Sequence, residues 1–80
     1  MNIYLIEQNK NTDYDTYDSA IVTAETEDQA RLTHPMGKPN WDGNDEDYSV
    51  WCGAEHVTVK LVGKSDIKTN GVLLASFNAG

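Results

Sequence analysis

The sequence predicts a small α+β domain, in which a four-stranded, mainly antiparallel sheet in β-β-α-β-β order carries one short helix on a face. Three observations carry that prediction. Four short runs rich in apolar or β-branched residues are separated by turn-forming stretches. One of these runs, 56–62, alternates apolar and polar residues with period two. A single helix-capping signature stands between the second and third runs.

Asn2–Glu7 (NIYLIE) has Ile3 and Leu5 on one side and Tyr4 and Ile6 on the other. Both faces are apolar, which predicts an interior strand. The polar stretch Asn9–Asp18 predicts a loop or irregular hairpin connection, and Ser19–Ala24 (SAIVTA) the second strand. Thr26 then fits an N-cap with Gln29 three residues on, and Glu27 and Asp28 sit in the first turn, where the helix dipole favours acids. The predicted helix covers 27–33 and stops at His34-Pro35, since a residue before proline avoids the α region. His34 is expected to cap its C-terminus, where a cation is favoured. Two turns are not stable alone, so Ala30 and its neighbours must pack on the sheet.

Met36–Tyr48 holds Trp41, glycine, proline and four acids, and predicts a long acidic loop. In His56–Val62 (HVTVKLV), Val57, Val59 and Leu61 should point inward and Thr58 and Lys60 outward. Gly63–Gly71 reads as a turn segment. Val72–Phe77 (VLLASF) is the fourth strand, apolar enough to be expected away from a solvated edge. A short helix leaves part of its face uncovered, for the Trp41 loop or Trp51 to close.

Eighty residues make one domain, 1–80, with no repeat and no interdomain linker. Its core supplies only about 3–5 kcal/mol, which leaves a homodimer open and argues against an enzyme with a deep, dry cleft. No apolar run approaches a membrane span, and the first ten residues lack a signal-peptide charge pattern. One cysteine cannot form an internal disulfide, and with two histidines it cannot build a four-ligand zinc site. The expectation is a soluble protein of a reducing, cytoplasmic compartment.

Net charge is −7, from 13 acids and 6 bases. Residues 13–55 hold eleven acids against Arg31 and Lys38, a balance of −9, while residues 56–80 balance at +2. Such a field repels phosphate backbones, so direct nucleic-acid binding is not expected. It attracts a basic surface, including the nucleic-acid groove of another protein.

Chemistry finds little purchase. Asp13, Asp15 and Asp18 resemble a calcium loop in spacing, but the sixth and twelfth positions are Asp18 and Ala24, where an EF-hand needs glycine and glutamate. Counted from Asp42, they are Asp47 and Gly53, and the template fails again. Cys52 and His56 lie four apart, without an oxyanion signature or strained elbow, and Cys52 reads as apolar filler. No phosphate-binding glycine fingerprint appears. The expectation is therefore no catalytic residue, no metal and no cofactor.

What stands out is the mixture of aromatics with acids. Tyrosine and tryptophan anchor interfaces while charge steers the partner. The predicted partner-binding residues are Asp13, Tyr14, Asp15, Tyr17, Asp18, Trp41, Asp42, Asp45, Glu46, Asp47 and Tyr48. The competing expectation is that these rings complete a small core, with Tyr14 and Tyr17 packed across the sheet edge.

Three stretches carry a resemblance: Tyr14-Asp15-Thr16-Tyr17-Asp18-Ser19-Ala20-Ile21-Val22, the Ala24…Ala30-Arg31…His34-Pro35 helix region, and the ending 71–80 (GVLLASFNAG). Together they are similar to a group of short uncharacterised proteins of tailed bacteriophages and prophages, over nearly the whole chain except the acidic Trp41 loop. The resemblance implies a setting, an accessory protein in the host bacterial cytoplasm, and no catalytic residue. Small acidic phage proteins commonly act by binding and blocking host factors, including defence nucleases, sometimes by imitating DNA charge. The expected function is therefore inhibition or modulation of a host protein that has a basic surface, through the acidic, aromatic-bearing face. Two alternatives come from other classes: a small-ligand or nucleotide-signal binder, and a structural or assembly factor that pairs strands.

Overall fold

The structure is a computed structural model and describes residues 1–38, 40–44 and 50–78. Four strands, β1 (Asn2–Glu7), β2 (Thr16–Ala24), β3 (Thr58–Lys64) and β4 (Gly71–Asn78), form one sheet in the order β3-β1-β2-β4, with every neighbour antiparallel. The helix α1 (Glu27–Arg31) follows β2, and a 3-10 turn, Ala54–His56, precedes β3. The expected α+β class and element order hold. β1 is an interior strand, as its two apolar faces predict.

Register explains which residues are buried. Tyr4 lies opposite Val22, and Ile6 opposite Ala20 and Val59. These side chains share the face on which α1 places Ala30 and the coil before β3 places Trp51, Cys52 and Val57. Trp51 and Ile6 are the largest fully buried side chains of that core. An indole of this kind buries roughly 150–250 Å², which at about 25 cal/mol per Å² is on the order of 4–6 kcal/mol, an upper figure.

Several expectations are corrected. β2 begins at Thr16, three residues before the expected start, because Tyr17 pairs with Phe77 and the irregularity between Tyr17 and Ser19 lets the strand continue through Asp18. The helix ends at Arg31, short of Thr33, since the Leu32 N–H already closes on the Asp28 carbonyl and the Thr33 N–H falls back to Ala30. Its N-terminus follows the capping signature: Thr26 Oγ1 accepts from the Gln29 N–H at 3.1 Å. Gln29 Oε1 accepts from the Glu25 N–H at 2.6 Å, one residue before the cap itself. β3 begins at Thr58, because His56 belongs to the 3-10 turn. Leu61 is 52 % exposed, where the alternation predicts burial. It stands on an edge strand with only Tyr4 beside it.

The fourth strand is the clearest reversal. β4 is an edge strand, and Leu73, Leu74 and Phe77 are all exposed. Residues 65–70 carry the chain from one edge to the other across the end of the sheet. They are tied down at both crossings. The Met1 amino group donates to Ser65 and Ile67 carbonyls, Thr23 Oγ1 donates to Thr69 O at 2.7 Å, and Asn70 Nδ2 donates to Thr23 O at 2.6 Å.

Trp51→Ala is expected to cost about 3–5 kcal/mol, comparable with the whole stability of so small a domain. Tyr14→Ala, removing an exposed ring, should stay within about 0.5 kcal/mol. Urea denaturation followed by circular dichroism measures both.

Candidate functional site: an acidic corner

The connection between β1 and β2 is built around one amide. Gln8 is buried, and its side-chain oxygen accepts from the backbone N–H groups of Lys10 and Asn11 at 2.8 and 2.7 Å. Its Nε2 donates to the carbonyls of Asn11 and Tyr17 at 2.7 and 2.9 Å. Asn11, also buried, donates from Nδ2 to the Trp51 carbonyl at 3.0 Å, and the Tyr17 N–H donates to Val50 O at 2.8 Å. A polar, turn-rich stretch is thereby held to the core by side-chain amides that replace a regular ladder.

This network presents Asp13–Asp18. Thr16 Oγ1 donates to Asp13 O at 2.6 Å, the Asp15 N–H donates to Asn78 O at 2.6 Å, and Asn78 Nδ2 reaches Asp13 O at 3.4 Å. Asp15 has φ 61°, a left-handed conformation that aspartate tolerates better than most residues. Asp13, Asp15 and Asp18 are exposed, and Tyr14 between the first two is 75 % exposed. Tyr17 points the other way. It is half-buried and meets Phe77 edge-to-face, with ring centroids 4.9 Å apart. The expected packing of both tyrosines on the sheet edge holds for Tyr17 alone.

The second half of the predicted site is differently placed. Trp41 is half-buried, packs on the core and meets His34 edge-to-face at 5.1 Å, and its Nε1 donates to Asn44 O at 3.1 Å. Asp42 is exposed, and its Oδ1 accepts from the Asn44 N–H at 2.9 Å. Gly43 has φ 81°, a left-handed conformation that favours glycine, and a Cβ there would also press on Leu32 Cδ2 at 2.8 Å and Ala54 Cβ at 3.0 Å. Asp45, Glu46, Asp47 and Tyr48 lie outside the described residues. His34 is fully buried and does not cap the helix as a surface cation; its Nδ1 accepts from the Met36 N–H at 3.1 Å and therefore carries no proton.

Beside Trp41 lies a cleft of about 420 Å³, lined among others by Gln29, Thr33, Lys38, Asn40 and Asn70. The alternation of strands gave no hint of it, because it joins the end of α1 to the start of β4. Its polar groups serve the fold. Asn70 Nδ2 donates to Thr23 O and Thr33 Oγ1, the Thr33 hydroxyl donates to Gln29 O, and Gln29 Oε1 holds Glu25. Cys52 is buried and His56 exposed. Among the described residues no three His, Cys, Asp or Glu side chains gather as metal ligands, and no helix is long and apolar enough to cross a membrane.

Compared with protein-family models, curated proteins and solved structures, the chain matches none.

Gln8→Leu should cost about 2 kcal/mol, because it strips partners from the buried Asn11 N–H and carbonyl and from the part-buried Lys10 N–H and Tyr17 carbonyl. Hydrogen exchange at the Lys10 and Asn11 amides should accelerate well beyond that of the β1 amides. Equal protection in both segments would show that the amide does not hold the corner.

Proposed function

We propose that the chain is a binding protein without catalytic activity and that it docks on a basic protein surface through the Asp13–Asp18 corner. One observation carries the reading. Tyr14 projects into solvent between Asp13 and Asp15, on a turn whose backbone is held by Asn78, Thr16 and the Gln8 amide. An aromatic ring on a rigid turn loses little entropy on binding, and flanking charges speed encounter and select the partner. Asp42 and the predicted Asp45, Glu46, Asp47 and Tyr48 extend the acidic surface in this reading; Trp41 and Tyr17 support it from the core side. The resemblance to short phage proteins supports a host bacterial protein as the partner and a blocking role, with a defence nuclease whose groove accepts DNA charge as the favoured target.

The alternatives draw less support. A ligand in the Trp41 cleft would compete with internal hydrogen bonds for most of the lining donors. Pairing of a foreign strand is opposed by the irregularities opposite Ile3/Tyr4 and Ile21/Val22, which break the straight course of both edge strands. Lys60 and Lys64 discourage it further on β3.

The test is a pull-down of tagged protein from nuclease-treated bacterial lysate, read by mass spectrometry at low and high salt. A stoichiometric protein released by about 0.5 M salt is expected, as screening of a charge-steered contact requires. With that partner purified, the triple change Asp13→Asn, Asp15→Asn, Asp18→Asn and the single change Tyr14→Ala should each weaken binding about tenfold or more. A blank at both salt concentrations, or unchanged affinity of both variants, overturns the proposal.

A further inference from the structure

The sheet has two faces, and the described residues outside it pack mainly on one. α1, Trp51, Cys52 and Val57 all pack on the face of Tyr4, Ile6, Ala20 and Val22. The opposite face carries Ile3 and Leu5 of β1, Ile21 of β2 and Leu74 of β4, set together by register. The 65–70 crossing touches this face at Thr23, whose Oγ1 donates to Thr69 O. Leu74 is 69 % exposed, and next to it lies a shallow recess of about 200 Å³ that Leu5, Ser19, Ile21 and Ser76 help to line.

We infer that this uncovered sheet face is a self-association surface, on which a second copy of the chain packs sheet to sheet about a two-fold axis. Charge selects the occupant. The chain as a whole is at −7, so copies repel through most of their surface. The open face is different: the register gives it Glu7 and Lys60, one acid and one base, on the neighbouring strands β1 and β3. A two-fold contact brings a patch against itself, and in the arrangement proposed the axis passes so that Glu7 of one copy meets Lys60 of the other, which removes the repulsion where the copies touch. A strongly basic partner would find its complement at the acidic corner and gain nothing here.

Shape agrees with charge. The same patch offers a projecting leucine and a recess beside it, the pairing of knob and hole that a self-complementary contact requires. Four strands about 4.8 Å apart present a face of roughly 20 × 20 Å, or about 800 Å² buried by the two copies together. An interface of that size belongs to the weak, reversible class.

Sedimentation equilibrium over about 5–500 µM tests the inference, a range chosen to bracket such an affinity. The mass should rise from 8.9 kDa towards twice that value. Leu74→Asp should hold it at 8.9 kDa throughout, with an unchanged circular dichroism spectrum. Leu74→Gln should shift the equilibrium in the same direction, so that the result does not hang on one introduced charge. Lys60→Glu should weaken association about tenfold, and the double reversal Glu7→Lys, Lys60→Glu should restore it. A wild-type mass that stays at 8.9 kDa, dimers that survive both Leu74 changes, or a double reversal no better than the single one would each overturn it.

Discussion

A five-residue helix cannot cover a four-stranded sheet, and the rest of this structure follows from that shortfall. α1 contributes one fully buried side chain, Ala30. The remaining volume over Tyr4, Ile6 and Val22 is closed by irregular chain, chiefly Trp51 and Cys52, with Trp41 packed at the margin. Irregular chain brings unpaired backbone groups into the interior, and these must find partners there. The Asn11 bond to the Trp51 carbonyl and the Tyr17 bond to the Val50 carbonyl are two such solutions.

The same requirement produces the rigid acidic corner. The segment linking β1 to β2 is too polar to bury itself and too long for a tight turn, so Gln8 and Asn11 stand in for ladder partners and draw it against the core. Once its backbone is anchored from within, its side chains are left to water. Asp13, Asp15, Asp18 and Tyr14 are exposed because the turn's own bonds are made by backbone, Thr16 and Asn78. A surface fixed by buried amides is better preorganised for docking than one on a free loop.

Edge position and one-sided covering together account for the apolar side chains left in water near the end of the chain. Leu61, Val62, Leu73, Leu74 and Phe77 are all exposed, on the two edge strands. Their irregular register keeps them from offering a flat edge for aggregation. Most of the acids lie elsewhere along the chain, eleven of the thirteen within residues 13–55, so the molecule separates a charged corner from a face that is largely apolar.

The sequence by itself determined the elements: four strands, the helix start at Thr26, the interior place of β1, and the burial of Cys52. These rest on local rules, alternation, capping and the absence of polar residues on either face, which neighbouring residues suffice to express. The acidic character of 13–18 and the exposure of its carboxylates were equally legible. Tertiary structure decided the rest. Whether β4 is central or at an edge depends on where β3 pairs, and nothing local to Val72–Phe77 records that choice. Leu61 alternates correctly and is still exposed, because an edge strand lacks a neighbour on one side. Tyr14 and Tyr17 are three residues apart in one motif, and only the pairing of Tyr17 with Phe77 sends one ring inward while the other remains in water. Gln8 reads as an ordinary polar residue after a strand, and its role exists only once β1, the turn and Tyr17 have converged on it.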